Sequence, residues 1–186
     1  MENMTTAIED RYQAELKQSD IDHHTPTAGA MAGHIVANLV VLANKLQQAK
    51  WYVKGPERFS LKPEFNLLMK TTQNQRDELG ERLLAEGEIV PSTTSAFTEY
   101  AMLEEAGQNK YQTASWLVNN FVHDFETNNL FVTRAIKLSE KEDRPALTQY
   151  LTTLLFESRK TIADLQAYLG NDARTGLDDE DDDDED

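Results

Sequence analysis

The feature that most constrains the fold is a helical spacing of apolar residues that runs from Thr27 to Gly170. Apolar side chains recur three and four residues apart in four long segments, at residues 28–53, 60–86, 110–138 and 144–169. This spacing is typical of amphipathic helices, because such residues lie along one side of a helix with about 3.6 residues per turn. Five Pro and eight Gly are too few for an all-β chain with many tight turns. The sequence therefore predicts an all-α protein.

The links between the segments predict how the helices are connected. Gly55-Pro56 ends the first segment, and Pro145 lies in the first turn of the fourth. About 22 residues separate the second segment from the third, far more than antiparallel neighbours need, and they include a short apolar piece. Such a link can cross a bundle from end to end, which predicts a ferritin-like four-helix bundle whose long crossover connection carries a short helix. Residues 4–18 suggest a further N-terminal helix.

The charge lies mostly at the two ends of the chain. The formal net charge is −15, from 33 Asp and Glu against 18 Lys and Arg. Residues 171–186 carry ten acids and one base, and residues 1–24 carry six acids and two bases. Nine consecutive carboxylates at 178–186 repel one another and predict disorder. We expect an N-terminal extension with a short helix (1–27), a ferritin-like bundle (28–170) and an acidic disordered tail (171–186).

Composition narrows the class of protein further. The absence of Cys excludes disulfides, thiol nucleophiles and Cys-ligated metal centres. The first residues lack the basic and apolar regions of a secretory signal, and the longest apolar stretch, residues 35–43, is too short to span a bilayer. We expect a soluble cytoplasmic protein with no membrane partner.

One stretch of the chain carries a more specific signal. The motifs are the run from Lys50 to Pro56 (KWYVKGP), then Phe59, Leu61 and Phe65, then the run from Asp77 to Arg82 (DELGER), then Gly87 and Pro91. Together with the short helix of the connector, they resemble the Dps family of mini-ferritins over roughly residues 30–170. The resemblance implies a homo-dodecameric shell built from two-fold dimers in a bacterial cytoplasm. It also implies Fe(II) oxidation, storage of ferric mineral and, in many members, association with DNA at the nucleoid.

The family's ferroxidase site lies between two subunits and uses two His, two Asp and a Glu. By this resemblance, the Asp and Glu that one subunit supplies match Asp77 and Glu81. The two His positions of the other subunit are Lys50 and Lys62 here, and its Asp position is Asn66. Three of five ligands are therefore replaced, and protonated ammonium groups repel Fe²⁺. The sequence predicts a degenerate site, with iron bound weakly, at Asp77 and Glu81, or elsewhere.

Two interpretations of these substitutions stay open. On α-helical spacing, Lys62, Asn66, Asp77 and Glu81 fall on one polar stripe. If the two-fold packing is kept, Lys50 and Lys62 would face the carboxylates of the neighbouring chain as an ion-pair lock. Alternatively, the carboxylates pair with Arg on their own helix, for example Asp77 with Arg82.

Other residues with ligand chemistry are weighed against plainer roles. The chain has no Glu-x-x-His, so the di-iron centre which that motif builds inside other ferritin-like bundles is absent. His34 is expected to be a packed histidine rather than a ligand. Two further groups carry the side chains of a weak metal site. Asp20, Asp22, His23 and His24 are explained more simply by a loop rich in turn-forming residues, and the pair His123 and Glu126 by a solvated polar face.

Two further assignments rest on the resemblance. Trp51 matches a family Trp that shields the site, although packing in the core would also retain a large aromatic side chain. Glu140, Glu142 and Asp143 lie at the corner where such shells have cation-admitting pores, although surface charges at a helix end would look the same.

The sequence leaves three functions open. The first is a Dps-like shell for iron or cation sequestration and oxidative-stress protection, with a degenerate ferroxidase site. The second is an active ferroxidase and iron-storage protein with a relocated site. The third is a structural or DNA-associating assembly without iron chemistry. Direct DNA binding is disfavoured by the acidic ends. Two routes to it stay open, namely Arg11 and Lys17 repeated around a shell, and bridging by Mg²⁺.

Overall fold

The computed structural model describes residues 2–177, apart from the side chains of residues 2–5, 19–20 and 22–24. Six α-helices and one 3₁₀ turn follow one another in this part of the chain. They are α1 (Glu2–His24), α2 (Ala28–Tyr52), α3 (Arg58–Ala85), α4 (Thr94–Tyr100), the 3₁₀ turn (Gly107–Tyr111), α5 (Ala114–Lys141) and α6 (Pro145–Tyr168). The prediction of an all-α, ferritin-like bundle with one crossover connection is confirmed.

Helix α2 is the centre of the bundle. It packs against α3, α5 and the short helix α4, while α5 and α6 form the second antiparallel pair. By composition α2 is apolar enough to cross a membrane, but 72% of its most apolar stretch is buried inside the structure, as a core helix requires. Leu39, Leu42 and Leu46 are fully buried and lie three and four residues apart. The predicted apolar stripe therefore forms the core.

Local signals define the helix ends. The Thr27 hydroxyl accepts a hydrogen bond from the Ala30 amide at 3.1 Å and caps α2. The Thr113 hydroxyl accepts one from the Trp116 amide at 3.2 Å and caps α5. Gly55, in the turn between α2 and α3, adopts a φ of 95°, which other residues rarely do. Because Thr113 caps α5, the third long helix begins at Ala114, four residues later than the predicted start at Lys110.

Contacts between the chain and the helical bundle continue past Gly170. The side chain of Gln166 donates to the Thr175 carbonyl at 2.7 Å, and Arg174 pairs with Glu126 at 2.6 Å. Leu177 is buried in the apolar cluster of the bundle. Residues 171–177 therefore dock on the bundle, whereas the predicted disorder at 178–186 lies outside the described residues.

Candidate functional site

The junction of α2 and α3 holds the residues that replace the two His and one Asp. Lys50, near the end of α2, donates from Nζ to Oδ1 of Asn66 on α3 at 3.1 Å, and both side chains are half-buried. Lys62 lies one helical turn before Asn66 and is exposed. The Lys50 ammonium group therefore bonds to the Asn66 amide oxygen, and the resemblance expects a metal ligand at each of these two positions.

The two carboxylates lie elsewhere on α3. Asp77 is 11 residues beyond Asn66, a separation of about 16 Å at ~1.5 Å per residue. Asp77 and Glu81 are both exposed. Among the described side chains, no group of three His, Asp or Glu residues could hold a metal ion. The predicted site residues of a single chain therefore form two separate groups.

Asp77 does pair with an arginine of its own helix, but not with the one predicted. Arg76 donates to Asp77 Oδ1 at 2.5 Å from Nη2, at a largely exposed position. The guanidinium of Arg82 instead lies 4.3 Å from the ring centroid of Tyr150 on α6, in a cation–π contact. The suggested Asp77–Arg82 pair is wrong, because Arg82 is turned toward α6.

Trp51 lies at the surface of the chain. Its side chain is 63% exposed, so the alternative that it is held by packing in the core of its own chain is wrong. Phe59 and Leu67 on α3 are 89% and 58% exposed. Trp51 follows Lys50 in the chain and Leu67 follows Asn66, so the single chain leaves large apolar side chains uncovered at the α2–α3 junction.

The bundle interior contains an ion pair that sequence reasoning missed. Lys45 Nζ lies 2.7 Å from the Asp124 carboxylate, and both side chains are about nine-tenths buried. Lys45 donates to Oδ1 of Asp124, and the Asn120 amide donates to Oδ2 of the same carboxylate at 2.8 Å. Burial raises the pKa of Asp124 above its ordinary value, while the hydrogen bond and charge of Lys45 and the charge of His123 oppose the rise. The only sequence signal is a single Lys inside the apolar stripe of α2.

His34 and His123, the two histidines whose side chains the structure describes, do not form a metal site. His34 Nδ1 lies 2.7 Å from the Tyr100 carbonyl oxygen, and its ring contacts Tyr100 and Phe131, as expected for a packed histidine. His123 is exposed, and Glu126 bonds to Arg174. The other predicted group, Asp20, Asp22, His23 and His24, ends α1 and is not the predicted loop, and its side chains lie outside the described residues.

Three predicted pore residues, Glu140, Glu142 and Asp143, lie at the corner between α5 and α6. One of them, Glu142, links this corner to the start of α2. Glu142 Oε1 accepts the Ala28 amide at 2.8 Å, at the start of α2, and Oε2 lies 3.3 Å from Arg144 Nε. A carboxylate is favourable there because the amides of a helix N-terminus carry partial positive charge. Asp143 has a φ of 57°, and Glu140 is exposed. Glu142 therefore has a structural role within the chain.

Known proteins are similar to this chain in sequence and in fold. Residues 33–175 match the ferritin-like domain family. The DNA protection during starvation protein of Listeria innocua serovar 6a is 34% identical over 137 residues, which cover 74% of this chain and 88% of that protein.

Two solved structures are also similar to this chain. The Lactococcus lactis MG1363 DpsB protein is 36% identical with a TM-score of 0.86, covering 90% of this chain and 97% of that one. Dps from Listeria monocytogenes is 31% identical with a TM-score of 0.76, covering 79% of this chain and 96% of that one. The family match at residues 33–175 includes the motifs at the α2–α3 junction. The chain belongs to the Dps family of ferritin-like proteins.

Proposed function

We propose that this chain is a subunit of a Dps-like shell that sequesters iron or other cations and protects against oxidative stress. In this proposal, ion pairs replace the ferroxidase site at the two-fold contact. The observation that carries the proposal is the 3.1 Å hydrogen bond from the Lys50 ammonium to Asn66. An ammonium group has three donors and no lone pair, and its charge repels Fe²⁺. These residues do not fit a metal, and we assign no oxidation step to them.

The order of residues along α3 suits a two-fold contact. Two copies of a helix that are related by a two-fold axis perpendicular to the helix run antiparallel. With the axis midway between residues 71 and 72, Lys62 lies opposite Glu81 of the second copy, and Asn66 lies opposite Asp77. The same helix therefore supplies cations or amides at one end and carboxylates at the other. That arrangement is self-complementary, as an isologous contact requires.

The exposed apolar side chains favour the same assembly. Trp51 at the end of α2, and Phe59 and Leu67 on α3, are large apolar residues, and each is more than half exposed in the single chain. Exposed apolar side chains are favourable where a second copy covers them. Burial of this surface against a second copy would also lower the local dielectric, which strengthens the proposed ion pairs.

The test is Fe(II) oxidation, driven by oxygen and by peroxide, in three samples. They are a protein-free blank, the wild type and the triple variant Lys50→His/Lys62→His/Asn66→Asp. We expect the wild-type rate to equal the blank and the triple variant to gain activity, because it restores all five ligand types. A wild type that clearly catalyses oxidation would overturn the proposal and favour a relocated ferroxidase site. An assembled wild type that also fails to retain a mineral core would favour a purely structural shell.

A further inference from the structure

A cavity of about 380 Å³ lies where the turn between α2 and α3 meets the start of α5. Two lysines line it, Lys54 from that turn and Lys110 from the 3₁₀ turn that precedes α5. Glu57 is the single carboxylate of the lining. We call this cavity the lysine pocket. Because two segments that are distant in the sequence form it, the lysine pocket is a product of the folded bundle.

Two aromatic rings hold the Lys110 ammonium group at the lysine pocket. Its Nζ atom lies 5.7 Å from the ring centroid of Tyr52 and 5.1 Å from that of Tyr111. Both distances are within the range of about 6 Å over which the face of a ring attracts a cation. Lys110 is half-buried, and both rings also line the cavity. The rings therefore place this charge at the wall of the lysine pocket without neutralising it.

The chain does not balance the positive charge of the lysine pocket. Among the residues that the structure describes, neither Lys54 nor Lys110 takes part in an ion pair. The Glu57 carboxylate lies against the turn at Gly55, where an added Cβ would come within 2.9 Å of Oε2. Two ammonium groups and one carboxylate thus leave the lining with an excess of positive charge, which favours an anion.

The rest of the lining supplies hydrogen-bond donors. Hydroxyl groups come from Tyr52, Tyr111, Thr113 and Ser115. The first two residues of α5, Ala114 and Ser115, also line the cavity, and their amides have no acceptor within the helix. Helix α5 has no acidic residue in its first turn, so its positive end adds to the field of the two lysines. A ligand with several anionic oxygens matches these donors, because hydrogen bonds to charged groups are the strong ones.

We propose that the lysine pocket binds the phosphate group of a small ligand, either inorganic phosphate or a phosphate monoester. A phosphate monoester carries about 1.5 to 2 negative charges at pH 7 and three strong acceptor oxygens. It can therefore meet both ammonium groups and several of the hydroxyl and amide donors at once. A carboxylate carries one charge and two oxygens, which is fewer than the lining can satisfy. The proposal concerns residues other than the α3 site and holds whether or not the chain oxidises iron.

Isothermal titration of iron-free protein with inorganic phosphate tests the proposal. Lys54→Gln/Lys110→Gln removes both charges of the pocket. Lys141→Gln/Lys160→Gln is a matched control, because it removes the same charge from exposed positions on α5 and α6. We expect the wild type and the control to bind one phosphate per chain with the same Kd. The pocket variant should bind about tenfold more weakly, a change of ~1.4 kcal/mol, and keep the wild-type circular dichroism.

Two further titrations identify the source of the phosphate group. Adenosine 5′-monophosphate that binds more tightly than inorganic phosphate, and loses affinity in the pocket variant, would support the proposal and make a phosphate monoester the ligand. Binding of a single-stranded oligonucleotide alone would overturn it, because the two lysines would then belong to a nucleic-acid surface. Equal losses in the pocket variant and the control would also overturn it, since binding would then follow the net charge of the chain. Absence of phosphate binding by the wild type would do the same.

Discussion

The buried pair of Lys45 and Asp124 offers the sharpest test of how the bundle interior is stabilised. At 2.7 Å, the attraction between the two charges is about 6 kcal/mol at an effective dielectric constant of ~20. Removing each ion from water costs several kcal/mol, so the attraction and the desolvation nearly cancel. The raised pKa of Asp124 has the same origin, since burial has a larger effect on the carboxylate than Lys45 does. The pair is therefore coupled strongly and stabilises weakly.

This balance predicts opposite results for single and double variants. Lys45→Met leaves the Asp124 carboxylate with Asn120 as its remaining partner, and Asp124→Leu leaves an unpaired ammonium group. Each single variant should lower the free energy of unfolding by about 3–5 kcal/mol. The double variant should lie near the wild type or exceed it by up to about 4 kcal/mol, because it removes both buried charges and replaces them with apolar side chains.

Urea unfolding followed by far-UV circular dichroism measures these differences. All variants need the same protein concentration, because assembly contributes to apparent stability. Lys160 and Asp164, both exposed on α6, provide a matched control pair for Lys→Met and Asp→Leu, and each substitution there should change stability by less than about 0.5 kcal/mol. Single costs that simply add in the double variant would refute the coupling. Single costs below about 1 kcal/mol would mean that the site is hydrated rather than buried.

Two further predictions concern the Glu142 contact at the start of α2 and the pH dependence of the Lys45–Asp124 pair. Glu142→Ala should destabilise the chain by about 1 kcal/mol, because the start of α2 loses its carboxylate acceptor, whereas Glu140→Ala at an exposed position should change little; thermal unfolding compares the two. Because the pKa of Asp124 is higher in the folded chain than its ordinary value of 3.8, protonation of this carboxyl favours the folded state. This contribution to stability is complete below pH 3.8 and is lost as the pH rises through the pKa of the folded chain. Above pH 3.8 the wild type should therefore lose stability relative to the Lys45→Met/Asp124→Leu variant, and a constant difference in unfolding free energy would contradict this.

The sequence predicts the bundle well because apolar spacing and helix-end residues are local signals. The start of α5 shows where that reasoning fails. Tyr111 continues the apolar spacing of α5, so periodicity alone extends the helix back to Lys110. Thr113 caps the helix instead, and residues 107–111 form the 3₁₀ turn. A capping residue therefore decides the boundary when the spacing is ambiguous.

The buried ion pair and the candidate site both depend on contacts that no local signal specifies. Lys45 and Asp124 are 79 residues apart, and their pairing follows only from the packing of α2 against α5. The apolar character of Trp51 likewise suggests burial, whereas its position on the α2–α3 junction leaves it at the surface of the chain. Motif resemblance located Lys50 and Asn66, but only the folded structure shows the hydrogen bond between them.

The central claim is that charge complementarity across α3 replaces metal ligands at the two-fold contact. Charge reversal tests it most directly, with assembly mass measured by light scattering after size-exclusion chromatography. Lys62→Glu and Glu81→Lys should each weaken assembly, because each places like charges opposite one another. The double variant restores opposite charges at the same positions and should recover the wild-type mass. A double variant that assembles no better than either single variant would contradict the account.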